Sequence, residues 1–346
     1  MRVLLGMSGG VDSTVAALKL KEMGYDVEGA VLKMHEYTEI AEASLAADAL
    51  GIPLHVIDCT KAFDRVVKSY FIKEYSEGRT PNPCVICNSE IKFKFLERFA
   101  RENGFDRIAT GHYARIITEK GENGEVYCSV AMGRDAKKDQ SYMLWRLDSD
   151  VLDMLVLPLG DEIKTDIINE AKSKGLSSAD RDESQEICFI PSGDYASYIE
   201  DAVGTFKCGS FIDGSGNTLG EHKGIIRYTI GQRKGLGIAL GERMFVTRID
   251  HVNNTVELSN KPKDSTALTV NMMKLTASGK RLGRSFSCKV KVRYLAPLTD
   301  AFVNVISDTE ARVELSSPAR SVTPGQSLVM YLDGAVIGGG TILSAE

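Results

Sequence analysis

The segment Ser8-Gly9-Gly10-Val11-Asp12-Ser13 constrains this chain more than any other. It follows a short apolar run over residues 3–5 and opens a helical pattern carried by Val15, Ala16, Leu18 and Leu20 that stops at Gly24. Adjacent glycines let backbone amides approach an anion, and the start of the following helix adds positive potential, so the turn is suited to phosphate. Ser8, Ser13 and Thr14 add hydroxyl groups. No lysine closes the segment, which separates it from the GxxxxGK[ST] loops. The competing reading is a plain Gly-rich turn, but that gives an aspartate inside Ser-Gly-Gly little packing reason to be there.

A strand that feeds such a helix belongs in a parallel sheet, and the pattern continues downstream. Strands are expected over 27–32, 54–57 and 108–110, with a helix over 40–50. This alternation predicts an α/β layer that binds ligands at the carboxyl ends of its strands. After residue 157 the texture changes. Residues 161–174 and 195–203 read as helices, and short alternating strands follow over 244–249, 256–258, 286–294, 302–306, 312–315 and 328–331. Turn signals such as Asn253-Asn254, Thr323-Pro324-Gly325 and Asp333-Gly334 separate them, and that spacing predicts a small antiparallel barrel. The expected plan is a parallel-sheet domain over 1–157, a small mostly helical central domain over 158–207 and a C-terminal antiparallel β-barrel over 208–346.

Seven cysteines are an odd number for a disulfide framework, and a chain of 346 residues can bury a core without one. No apolar run is long enough for a membrane span, and the N-terminus reaches glycine too soon for a signal peptide. The chain is therefore expected to be cytoplasmic, with reduced thiols. Two of these stand in Arg79-Thr80-Pro81-Asn82-Pro83-Cys84-Val85-Ile86-Cys87-Asn88, where the prolines set an extended approach and a loop is expected. A Cys-x-x-Cys pair on a loop is seldom a packing device. Its alternatives are two buried thiols or half a structural zinc site, and no second close pair completes the latter. Cys188, in Ile187-Cys188-Phe189-Ile190-Pro191, reads as a core residue by its neighbours alone. Cys59, Cys128, Cys208 and Cys288 sit in or beside apparent strands and read as small buried thiols. Lys92, Lys94, Arg98 and Arg101 recur at near-helical spacing, as on a solvated face or one turned to nucleic acid. A structural and a chemical role are equally open for His112.

The glycine segment resembles the SGGxDS signature of the PP-loop ATP pyrophosphatases, which have an adenine nucleotide alpha hydrolase-like fold. The resemblance implies that Gly6, Met7, Ser8, Gly9, Gly10, Val11, Asp12 and Ser13 bind the phosphates of ATP, and that Asp12 helps to hold Mg²⁺. It also implies a second nucleotide contact at Gly111, in Ala109-Thr110-Gly111-His112-Tyr113. Leu32, at the end of the second strand, falls where adenine would pack and reads equally well as a core residue.

Further segments extend the likeness along nearly the whole chain. They are residues 79–93, Lys138-Asp139-Gln140-Ser141-Tyr142, residues 187–190, Gly231-Gln232-Arg233-Lys234-Gly235-Leu236-Gly237, Arg293-Tyr294 and Pro324-Gly325-Gln326. Together they are similar to the tRNA-specific 2-thiouridylases, sulfurtransferases that act on the wobble uridine. That resemblance implies Cys87 as nucleophile and Cys188 as persulfide carrier, with Asn82, Pro83 and position 84 at the target base. It places Lys138, Asp139, Gln140, Arg233, Arg293 and Tyr294 against tRNA, whose anticodon loop is the partner. It also requires a sulfur-donor protein, such as a cysteine desulfurase or a relay carrier. Many members carry Asp where this chain has Cys84. That departure opens a second chemistry, in which Cys84, Cys87 and Cys188 hold a [4Fe–4S] cluster with one open iron. A PP-loop enzyme that adenylates a small-molecule carbonyl for amidation is the alternative, and it would need neither the Cys-x-x-Cys nor a barrel. The formal net charge of −5 decides nothing about RNA, because phosphate contacts depend on local clusters.

Overall fold

The computed structural model describes residues 1–120, 124–176 and 187–346. The chain forms two compact units: residues 1–67, 84–189 and 332–337, and residues 68–83, 190–331 and 338–346. Among the described residues no helix is long and apolar enough to cross a membrane.

The first unit is built on strands β1 (Arg2–Gly6), β2 (Asp26–Lys33), β3 (Leu54–Asp58) and β4 (Arg107–Thr110). A hairpin of β5 (Ala114–Lys120) and β6 (Val126–Met132) and a two-residue strand β7 (Leu155–Val156) follow. The sheet runs β3-β2-β1-β4-β7 and is parallel throughout. Val3, Leu4 and Leu5 of β1 are fully buried, as a central parallel strand covered on both faces requires. One face packs on α1 (Val11–Glu22) through Val15, Ala16 and Leu20, and on the helix Lys164–Ser173 through Ile167 and Ala171. β1 pairs with β2 on one side and β4 on the other, so the strand order changes direction there. Ligand crevices of open α/β sheets form at such a point.

In the second unit, β8 (Gly209–Ile212), β9 (Thr218–His222), β10 (Phe245–Asp250) and β11 (Thr255–Ser259) make a four-stranded sheet in the order β10-β11-β8-β9. The barrel is formed by β12 (Asp264–Leu275), β13 (Ser285–Lys291), β14 (Thr299–Ser307), β15 (Glu310–Arg320), β16 (Ser327–Leu332) and β17 (Ala335–Ala345). Its order is β12-β15-β14-β13-β16-β17, and antiparallel pairing of β17 with β12 closes it. Closure needs close backbone approach: a methyl group on Gly338 would sit 2.7 Å from the Lys274 carbonyl oxygen. The run Gly338-Gly339-Gly340 is for this reason strand.

The α/β layer and the terminal barrel agree with the sequence reading, and two local expectations do not. Cys84 and Cys87 lie not on a loop but on a short helix, Pro83–Cys87. Proline is well placed at a first helical position, where its missing N–H costs nothing. The helix runs on through a π-helical stretch, Asn88–Lys92, into the helix Phe93–Glu102. Arg293 and Tyr294 do not belong to a barrel strand, because β13 ends at Lys291. The amide of Ala296 donates to the Arg293 carbonyl at 3.1 Å, and Pro297 follows without a donor for the ladder.

Candidate active site

The segment from Met7 to Ser13 leaves the carboxyl end of β1. The Met7 amide donates to the Ala30 carbonyl of β2 at 2.8 Å, which anchors the turn to the sheet. The hydroxyls of Ser13 and Thr14 both donate to the Gly10 carbonyl, at 3.0 and 2.9 Å. The Gly9 backbone has φ +78, and a methyl group there would lie 2.6 Å from the carbonyl carbon of Glu42, so only glycine fits. No side chain caps α1. Among the described residues, the amides of Gly9, Val11, Asp12 and Ser13 donate to nothing. Four open N–H groups at a helix N-terminus make a cradle for an anion.

The Asp12 carboxylate projects from the first turn of α1 and is held on two sides. Lys164 Nζ donates to Oδ1 at 2.7 Å and to Oδ2 at 2.8 Å, and the Tyr113 hydroxyl donates to Oδ1 at 2.7 Å. The Lys164 side chain is only 7% exposed, whereas Asp12 keeps 33%. Lys164 opens the helix packed against α1, and its own amide donates to Asp135 at 3.0 Å. Gly111 closes the arrangement from the end of β4, since a methyl group on it would sit 3.0 Å from the Asp12 carbonyl carbon. Leu32 is buried near the end of β2.

The residue after Gly111 leads to the sulfur groups. His112 Nδ1 is 2.8 Å from the Thr110 hydroxyl. Burial and the nearby Lys92 push the imidazole down to about 3, so it is neutral at pH 7. Lys92 also lies within Coulombic reach of Cys84, Cys87 and Cys188. Cys87 is buried with its Sγ 3.7 Å from Met34 Sδ, and desolvation pushes its thiol up to about 12 against the opposing pull of Lys92. Cys188 is exposed at its surface and is also raised by desolvation, with Lys92 again opposing. Phe189, beside it, packs edge-on against Phe63 at 5.5 Å. Cys84 is exposed. Two residues about a hundred positions apart in sequence thus meet at one cation. All seven cysteines are free, and among the described residues no three His, Cys, Asp or Glu side chains are grouped to hold a metal ion.

Three family models together match most of the chain. The tRNA methyl transferase HUP domain matches residues 1–192, the tRNA methyl transferase PRC-barrel domain 196–260, and the aminomethyltransferase beta-barrel domain 265–342. A tRNA-specific 2-thiouridylase MnmA of Acetivibrio thermocellus is 41% identical over 99% of this chain and 99% of its own length. The chain belongs to the tRNA-specific 2-thiouridylase family. The MnmA of Clostridium acetobutylicum is 40% identical over the same shares. Among solved structures, a 4-thiouridine synthetase–RNA complex with bound ATP aligns at 19% identity and a TM-score of 0.37, over 58% of this chain and 50% of that one.

The segments that the 2-thiouridylase resemblance assigns to tRNA differ in character. Asp139 is buried, and its carboxylate accepts from the amides of Gly133 and Ser141 at 3.0 and 3.1 Å. Gln140 accepts from the Tyr113 amide at 2.9 Å and donates its own amide to the Tyr113 carbonyl at 2.8 Å. Both shape the turn beside the Asp12 partner Tyr113. Lys138, Asn82 and Pro83 are half-buried. Arg233 and Arg293 are exposed, and Tyr294 is half-buried. Gln326 donates to the carbonyls of Thr80 and Pro81 at 3.0 and 3.2 Å, which pins the segment leading to Asn82. The basic stretch divides: Lys94 pairs with Glu90 and Arg101 with Glu97 on the solvated face, while Lys92 is half-buried beside the thiols. Sequence reasoning missed Lys164 and met Tyr113 only as the last residue of the Gly111 segment, because nothing at either position signals a partner in the glycine loop.

The buried position of Lys164 sets a test. Asp12→Ala removes the carboxylate from an ammonium that cannot reach bulk water, and should cost roughly 1–3 kcal/mol, between the exposed and buried ion-pair ranges. Adding Lys164→Met should recover part of that loss. Urea unfolding of both single variants and the double variant measures the coupling; purely additive losses would contradict it.

Proposed function

We propose that this protein uses ATP to replace the O2 of the tRNA wobble uridine with sulfur, acting as a tRNA-uridine 2-sulfurtransferase. The observation that carries the reading is that Gly111 closes on the open amide cradle while the next residue, His112, shares with Cys84, Cys87 and Cys188 the Coulombic reach of one cation, Lys92. A PP-loop enzyme that amidates a small molecule would have no use for Cys87 and Cys188. Full-length likeness to two named 2-thiouridylases supports the same choice.

The uridine C2 carbonyl needs activation, because oxide is a poor leaving group. The free amides of Gly9, Val11, Asp12 and Ser13 receive the β- and γ-phosphates, and O2 attacks the α-phosphorus, releasing pyrophosphate and leaving O2 bonded to AMP. Asp12 fits a Mg²⁺ ligand of the single-carboxylate kind, which shares the ion with substrate phosphates and water. A third of its side chain is exposed, and three hydrogen bonds leave one of its roughly four acceptor positions open. Bound there, Mg²⁺ would neutralise charge on the departing pyrophosphate.

Sulfur then arrives as a persulfide on Cys188, loaded by a donor protein such as a cysteine desulfurase or a relay carrier. Its terminal sulfur bonds to C2 as AMP leaves with the oxygen. The Cys87 thiolate attacks Cys188 Sγ, and the S–S electron pair moves to the sulfur on C2, giving the thiocarbonyl. A Cys87–Cys188 disulfide remains and is returned to thiols by an external dithiol. Among the described residues no three His, Cys, Asp or Glu side chains are grouped as metal ligands, which supports the relay over the cluster chemistry. In the relay, Cys84 stands in the usual Asp position at the surface of the site.

Purified protein given tRNA, ATP, cysteine and a desulfurase should produce 2-thiouridine at the wobble position, read by nucleoside mass spectrometry. Asp12→Asn should abolish tRNA-dependent pyrophosphate release, and Cys188→Ser should keep that release but make no thionucleoside. Thiolation by Asp12→Asn at the wild-type rate would remove the glycine loop from the reaction.

Arg233 and Arg293 are exposed cations suited to phosphate. Changing either to Ala should weaken tRNA binding and lower the slope of log affinity against log salt by about 1, with ATP binding unaltered. Unchanged slopes in both would leave them as surface residues only.

Anaerobic treatment with iron and sulfide should leave the wild type without stoichiometric iron, and Cys84→Asp should retain activity with a persulfide donor. Iron uptake lost in Cys84→Asp together with activity would establish the cluster instead.

A further inference from the structure

Lys92 is set apart from every other basic residue of its helix. It closes the π-helical stretch Asn88–Lys92, five residues after Cys87. One turn of i→i+5 helix stacks those two positions on one side, where an ordinary α-helix would rotate them apart. The flanking side chains Ile91 and Phe93 are fully buried, and Phe93 packs against the His112 ring at 5.7 Å. Glu90, the nearest carboxylate in sequence, is turned to Lys94 at 2.6 Å. Among the described residues Lys92 has no carboxylate partner and donates no hydrogen bond, whereas its neighbours Lys94 and Arg101 are both paired. A half-buried cation with no counter-ion among the described residues is costly, and a place of that kind suits an anion that comes and goes.

Among the described residues the thiols of Cys84, Cys87 and Cys188 and the neutral His112 lie within Coulombic reach of this ammonium. The raised thiols of Cys87 and Cys188 and the neutral His112 carry no resident negative charge that would neutralise it. We infer that Lys92 is the fixed cation of the sulfur site: it stabilises as anions the terminal sulfur of the Cys188 persulfide and the attacking thiolate of Cys87. The inference rests on the persulfide relay proposed above. It answers a difficulty that burial creates, because a thiol raised by desolvation is a poor nucleophile, and a thiolate is the reacting form. The π-helical turn supplies the geometry and Lys92 supplies the charge. Neither takes part in adenylation.

The test separates charge from structure and this inference from the relay itself. Enzyme loaded with ³⁵S-persulfide by a desulfurase and cysteine is mixed with ATP and tRNA, and a single turnover is followed. Lys92→Met should slow sulfur transfer about tenfold or more, equivalent to one unit of thiol acidity, while tRNA-dependent pyrophosphate release stays at the wild-type rate. Lys92→Arg should keep most of the transfer, and Lys92→Gln reads the same loss if the Met variant does not fold. Alkylation of Cys87 by iodoacetamide, measured by mass spectrometry in enzyme without substrates, should slow to a similar degree in Lys92→Met. Wild-type transfer and wild-type alkylation in Lys92→Met would overturn the inference. If Cys188→Ser still thiolates tRNA, the relay falls, and the alkylation rate of Cys87 still decides the role of Lys92.

Discussion

Everything in the site depends on how closely the end of β4 lies against the start of α1. The backbone of Gly111 comes so near Asp12 and Ser13 that any side chain would meet their main-chain atoms at 3.0–3.1 Å. Parallel pairing of β1 with both β2 and β4 forces that approach, since all three strands deliver their carboxyl ends to one edge. The glycine loop, Met34 beyond β2 and His112 beyond β4 are consequences of the same geometry.

Two kinds of charge are managed in this small space by opposite means. Asp12 is permanently matched by the sheltered Lys164, so the loop presents a carboxylate whose orientation is set before nucleotide enters. Preorganisation of that sort lowers what binding must spend on ordering. The Cys87 thiol is instead kept neutral by burial, and Lys92 near it has no carboxylate partner among the described residues. A neutral buried thiol resists stray oxidation, and charge develops only when sulfur chemistry begins.

Much of the fold was legible because hydrophobic period and turn chemistry agree with tertiary structure. The helices Ile40–Leu50 and Tyr195–Val203 coincide with their sequence bounds, and the sheet strands differ from theirs by a residue or two. The failures have separate causes. Pro81 and Pro83 suggested an extended loop, yet the second proline starts a helix, because position determines whether the residue breaks or begins one. The hairpin β5–β6 and the long strands β12 and β17 went unread; in β17 three glycines serve close packing, which no local pattern announces.

By itself the sequence determined the α/β-then-barrel order and marked the glycine loop and Cys84, Cys87 and Cys188 as candidates, since each is a local pattern or a match of spaced motifs. It could not determine which charges would meet. Lys164 lies 152 residues from Asp12, and Lys92 stands in a run of basic residues that look alike in one dimension. Only the packing of the helix Lys164–Ser173 on α1 brings the first pair together. Only a π-helical register turns Lys92 inward while Lys94 and Arg101 stay on the solvated face. Ion pairs act through space over a few ångströms, and distance along the chain carries no record of them.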